Sequence, residues 1–209
     1  MRVLLASLLA STVVVPLSAT ERAVVVLVAT ASDDRLVPVR EAIQFWNDRL
    51  AELGLELRIG FPEVRVADPL ARSLETYARE VATRAIQQLP TGVFEPDPPE
   101  AFTRVGGDII LLLSGQDIMS YAWPLPRVEP RRHFVVIRMV RGPYRSDSMV
   151  SSHVIAHEIG HTLGLTHNDE VHTLMCGPCQ PLTAEIDETG FLPLTETERA
   201  RLVDLHGTR

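Results

Sequence analysis

Two histidines four residues apart, His157 and His161, followed by Gly164 and a third histidine, His167, constrain this chain more tightly than any other feature. On a helix, residues four apart project from one face, one turn above the other, so both imidazoles reach the same point. A third ligand one more turn along would miss that point. The chain therefore has to leave the helix after His161 and swing back. Gly164 suits that exit, because glycine tolerates the left-handed conformation that often ends a helix. His167 then supplies a third nitrogen to a tetrahedral site and leaves a fourth position for water. Glu158 follows the first histidine and is offset toward the open side of such a site, where a general base takes a proton from water. The donor set implies Zn2+ and a hydrolytic reaction.

The flanks agree with a buried helix. Ser146, Asp147 and Ser148 offer cap residues, and Met149, Val150, Val154, Ile155, Ile159 and Leu163 repeat at helical spacing up to Gly164. A helix beginning near residue 147 is predicted.

The run from His157 to His167, with Met175 eight residues beyond it, resembles the metzincin metalloproteases, whose consensus is HExxHxxGxxH followed by a methionine-containing turn. The spacing from third histidine to methionine looks most like the matrixin branch. The resemblance implies an α+β zincin/metzincin fold: a mixed twisted β-sheet with an active-site helix, a Met-turn and a C-terminal helix. It implies a zinc metalloendopeptidase, with His157, His161 and His167 on the metal, Glu158 catalytic, and Met175 as an apolar floor that does not bind it. The chain departs from the matrixin pattern at Asn168, where serine is usual, and at Cys176, where an aromatic is usual. Gly177 stands where astacins and serralysins have a metal-facing tyrosine.

At the N-terminus, Met1 and Arg2 precede an apolar run from Val3 to Leu17, and Ala19 is a small residue suited to cleavage. Residues 1–19 read as a secretory signal peptide, which places the mature protein in a periplasmic or extracellular setting. Residues 20–209 then form a single catalytic domain, with an upper subdomain to about 167 and a small lower subdomain over 168–209. A formal charge of −7 disfavours nucleic acid or an anionic membrane as partner. The expected partner is a peptide or protein substrate, with no stable membrane insertion after signal cleavage and a monomeric state. The two cysteines, Cys176 and Cys179, form a CxxC pair; in an exported protein a local disulfide is the first reading, with redox, zinc-knuckle and free-thiol readings beside it.

Along the chain, Arg22 to Thr30 reads as a buried strand and Pro38 to Leu53 as a helix stopped by Gly54. Leu55 to Ile59 reads as a half-buried strand that Glu63 to Val66 extends. A second long helix is predicted from Pro69 to Leu89, more than the compact matrixin plan needs, and Pro90 to Pro99 reads as a loop. Gly107 to Ser114 and His133 to Val140 read as strands. Between them, Gln116 to Pro124 resembles the matrixin edge strand above the cleft, where Ser120, Tyr121, Ala122 and Trp123 would form a substrate-binding rim. Thr195 and Glu198 spell a capping box for a closing helix. His133, His153, His172 and His206 read as surface or structural residues. The rival to a peptidase is a catalytically silent or single-target zincin that binds a peptide or protein; the usual mark of the silent form is loss of the glutamate that Glu158 retains.

Overall fold

The computed structural model describes residues 20–86, 96–125, 132–139, 148–177 and 190–207. Residues 1–19, read above as a signal peptide, and Cys179 lie outside the described residues. In chain order the elements are β1 (Glu21–Arg22), β2 (Val24–Val28), α1 (Leu36–Glu52), β3 (Arg58–Ile59), β4 (Glu63–Val66), α2 (Ala71–Ile86), α3 (Ala101–Val105), β5 (Ile109–Leu113), β6 (Tyr121–Leu125), β7 (Arg132–Ile137), α4 (Ser148–Thr162) and α5 (Glu196–His206). This is a mixed α/β fold.

The main sheet has the order β4-β2-β5-β7-β6. Its first four strands are parallel, and β6 runs antiparallel to β7 at the edge. Parallel strands are covered on both faces, which is why the sequences of β2 and β5 are continuous apolar runs without polar alternation. Alternate residues of one strand supply two different cores. Val24, Val26, Ile109, Leu111, Val135 and Ile137 pack with residues of α1 and α4, including Trp46, Phe45, Ile155 and Ile159. Val25, Leu27, Ile110, Leu112, Phe134 and Val136 pack with Leu74, Tyr77 and Val81 of α2 and Phe102 of α3.

The long helix predicted after Pro69 therefore covers the sheet face opposite α4. It begins at Ala71, and Asp68 and Pro69 precede it; the Asp68 carboxylate accepts from the Leu70 N–H at 2.8 Å. Gln87 to Leu89 of the predicted helix lie outside the described residues. The short helix α3 had no signal strong enough to be predicted from the sequence.

One expected strand divides. Leu55 and Leu57 are buried but pair with no strand among the described residues, where only Arg58–Ile59 pairs, in a separate two-stranded sheet with β1. Glu63–Val66 does not extend it; β4 joins β2 in the main sheet. Pro62 lies between the two, and a residue without an N–H interrupts a ladder where the chain changes sheets. Helix α1 starts two residues before Pro38, which falls in the first turn, where the missing N–H has no helical partner to lose.

No described helix is long and apolar enough to cross a membrane.

Arg35 closes the carboxyl ends of the central strands. It is 5% exposed, and its guanidinium donates to the carbonyls of Ser114 at 2.9 Å, Ile137 at 3.0 Å and Leu113 at 3.3 Å. The remaining N–H groups pair with Asp33 at 2.6 and 2.9 Å. Replacing Arg35 with methionine keeps the length but strands the Asp33 carboxylate and three carbonyls. The expected loss is about 3–5 kcal/mol, the usual consequence of breaking a buried ion pair from one side. Urea denaturation measures it, and an unchanged midpoint contradicts this role.

Candidate metal centre

Helix α4 carries the first two histidines, and its end places the third. Gly164 has φ +93°, the left-handed conformation expected of it. The Leu165 N–H reaches back to the Gly160 carbonyl at 3.1 Å and the Gly164 N–H to the His161 carbonyl at 3.1 Å. This 6→1 and 5→2 pair is a Schellman motif. It turns the chain so that His167 comes back over the helix.

The three imidazoles meet through the same atom. His157 Nε2 is 3.0 Å from His167 Nε2, and His161 Nε2 is 3.2 Å from each of the others. Nitrogens bound tetrahedrally to one zinc at about 2.0–2.1 Å lie roughly 3.3 Å apart, so the triangle fits such an ion with little adjustment. Among the described residues, this is the one group of histidine, cysteine, aspartate and glutamate side chains that converges in this way.

Backbone carbonyls set which nitrogen faces inward. His157 Nδ1 lies 2.7 Å from the Leu174 carbonyl, and His161 Nδ1 lies 2.9 Å from the Leu165 carbonyl. A carbonyl only accepts, so each Nδ1 carries the proton and donates, leaving the Nε2 lone pairs for a cation. Burial also keeps these rings neutral. It pushes the pKa of His157 down to about 4, assisted by the neighbouring His161 and His167 and opposed by the bond to Leu174. His161 is lowered as well, by burial first and then by His167, against the bond to Leu165.

Glu158 lies one residue around the helix, buried between α4 and the edge strand. Burial raises its pKa to about 8, offset in part by a hydrogen bond from the Ala122 backbone N–H. A cation at the three histidines would draw that value down again.

Met175 is fully buried. A methyl group placed on Gly160 would lie 2.6 Å from Met175 Sδ and 2.9 Å from Trp46 Cζ2. Gly160, between the two helical histidines, thus keeps the helix against the methionine and tryptophan below. Trp46 is further tied to α4 by its indole N–H, which donates to the Ala156 carbonyl at 2.8 Å.

The four residues expected to form a rim divide between two faces. Tyr121 and Trp123 pack into the core on the α2 side, and the Tyr121 hydroxyl donates to the Ala78 carbonyl at 2.9 Å. Their side chains do not line the metal side, a correction that follows from strand alternation. Ala122 packs on the α4 side. Ser120 precedes β6 and accepts the Arg138 N–H at 3.1 Å. On the same exposed edge, Pro124 has no N–H to offer.

Two of the remaining histidines have structural partners. His153 bridges α4 to the following segment, Nδ1 to the Met149 carbonyl at 2.8 Å and Nε2 from the Leu192 N–H at 3.0 Å. His206 Nε2 meets the Leu163 carbonyl at 2.8 Å. Cys176 is disulfide-bonded. The residue that sequence reasoning marked only as a departure, Asn168, makes a dense set of bonds: its N–H donates to Met175 and its carbonyl accepts from Gly177, both at 3.0 Å.

Residues 131–182, which contain β7, α4 and the loop to Met175, match the sequence model of a family described as "Dual-action HEIGH metallo-peptidase". Residues 157–161 read HEIGH. Over this segment the chain is similar to metallopeptidases, and the match gives the matrixin branch no support. No curated protein matches the chain. Among solved structures, a chain from "Structure of a chaperone-substrate complex" is 12% identical, with 91% of this chain and 36% of that chain covered at a TM-score of 0.47. Metalloproteinase-II from Bacteroides fragilis is 13% identical over 91% of this chain and 54% of its own, also at 0.47. Archaemetzincin from Methanopyrus kandleri is 15% identical over 92% and 98%, at 0.43. The chain thus spans about a third and about half of the length of the first two.

Replacing Gly160 with alanine is expected to destabilise the protein by about 1–3 kcal/mol through overpacking against Met175 and Trp46. A guanidinium unfolding curve of the metal-free variant reads this, and a midpoint equal to that of the parent contradicts the packing.

Proposed function

We propose that this protein is a zinc-dependent endopeptidase, with the metal held by His157, His161 and His167 and with Glu158 as general base. The reading rests on one observation above all: three Nε2 atoms lie within 3.0–3.2 Å of one another, and a buried carboxylate follows the first of them on the same helix.

Zinc bound there supplies Lewis acidity, lowering the pKa of water from about 15.7 toward 7 and polarising the scissile carbonyl. Glu158 accepts the proton of the attacking water and returns it to the leaving amine. The hydrogen bond from the Ala122 N–H orients its carboxylate for both transfers. Burial serves the second one, because a carboxyl taken out of water holds a proton more firmly than a solvated one. The edge of β6 beside Glu158 accommodates an extended peptide by strand addition, with the substrate-binding contribution coming from the main chain of Ser120 and Ala122. Met175 supports the helix from below and takes no part in the chemistry.

The reading includes export, supported by residues 1–19, whose apolar run and Ala19 have the pattern of a cleaved signal. An oxidising compartment also suits a disulfide at Cys176.

Glu158→Gln removes the base and keeps the shape. It is expected to retain bound zinc and to lower kcat/KM on a mixed peptide library by roughly 10²–10⁴-fold. Cleavage at the parent rate contradicts the assignment.

A further inference from the structure

His157 and His161 are each oriented through Nδ1 by a backbone carbonyl. The His167 ring has no such bond among the described residues. It is exposed and rests against Gly177, where a methyl group would lie 2.7 Å from its Cγ. What fixes the third nitrogen must therefore act through the backbone, and the next residue is where the bonds gather.

Asn168 closes the loop on itself. Besides its backbone bonds to Met175 and Gly177, its Oδ1 accepts from the Glu170 N–H at 2.8 Å and the Thr173 hydroxyl at 3.1 Å. With the oxygen committed to donors, the amide nitrogen points the other way and donates to Glu198 Oε1 at 2.6 Å. Glu198 is 5% exposed. Its other oxygen accepts the Thr195 N–H at 2.8 Å, and its own N–H donates to the Thr195 hydroxyl at 3.1 Å, which is the capping box of α5. It forms no salt bridge among the described residues, so this buried carboxylate relies on hydrogen bonds from Asn168 and the helix cap.

We propose that Asn168 and Glu198 form a positioning pair for His167, anchoring the loop that carries the third ligand to the first turn of α5. The inference rests on the metal site proposed above. It explains why residue 168 is an amide here. An aspartate would set a second carboxylate against Glu198 at hydrogen-bonding distance, and a serine is too short to span from the loop to α5.

The pair has a polarity that can be reversed. In Asn168→Asp the donor is lost and two carboxylates oppose each other. In Glu198→Gln the capping box survives, since glutamine serves at that position, but its amide faces the amide of Asn168. In the double variant, the glutamine amide introduced on α5 donates to the aspartate introduced on the loop, while the glutamine oxygen still accepts from Thr195. The tether is then restored with donor and acceptor exchanged.

Zinc affinity of the four proteins is measured by competition with a chromophoric chelator, under conditions where circular dichroism shows each one folded. Asn168→Asp is expected to bind zinc about 10–100-fold more weakly, the usual effect of losing a group that orients a ligand. Glu198→Gln is expected to weaken binding less, and the double variant to return to within a few-fold of the parent. A contact that is merely structural would lower the melting temperature and leave the zinc affinity of the folded protein unchanged. Zinc binding by Asn168→Asp equal to the parent, or a double variant no tighter than Asn168→Asp, overturns the inference while leaving the metal site intact. If Asn168→Asp does not fold, Glu198→Gln decides, and parental affinity there overturns the pairing. A parent protein that binds no zinc overturns the metal site and this inference together.

Discussion

Where α4 ends, the carbonyls of Thr162, Leu163, Gly164 and Leu165 have no helical partner, and each is met by a side-chain donor, three of them from other elements of the fold. Arg22 donates to Thr162 at 2.5 Å, His206 to Leu163 at 2.8 Å, Arg201 to Gly164 at 2.6 Å and His161 to Leu165 at 2.9 Å. Helix ends leave such groups unsatisfied, and the two arginines also suit the negative end of the helix dipole. The arrangement gives β1 a purpose: it holds Arg22 at the exit of the helix. It gives α5 one as well, since both His206 and Arg201 come from it. The exit fixes the direction of the chain toward His167, and so the third corner of the site.

The site itself combines two opposed demands. Imidazoles must be neutral to bind a cation, and burial that depresses His157 and His161 secures this. The same burial raises Glu158, which in its proposed role as base must be ionised. A cation among the histidines would reconcile the two, because it favours the anionic carboxylate without protonating a ring. The hydrogen bond from Ala122 adds to this and ties the base to the strand along which a peptide would lie.

Local features of the sequence carried much of this. The i, i+4 histidines, the positive-φ glycine and the Thr195–Glu198 capping box are signals within a few residues, and α4 and α5 follow from them. The apolar runs of β2 and β5 likewise told of strands. What the sequence withheld is long-range. Arg22 caps a helix whose end lies 140 residues away, and no local pattern marks an arginine for that. Tyr121 and Trp123 belong to the α2 face because of how β6 registers with β7, Tyr121 opposite Val136 and Trp123 opposite Phe134, and a five-residue edge strand gives too short an alternation to fix its faces in advance. The helix after Pro69 looked superfluous until the second face of the sheet required a cover. Asn168 read as an irregularity because its partner, Glu198, sits on another element.

In the proposed site three imidazoles and no sulfur hold the metal. Zinc-edge X-ray absorption of the purified protein tests it most directly. The expected spectrum shows an all-light-atom shell at about 2.0–2.1 Å with the multiple scattering of three imidazoles and one further oxygen. A sulfur shell at about 2.3 Å, which would bring a cysteine onto the ion in place of His167, or a protein that carries no zinc, would contradict it.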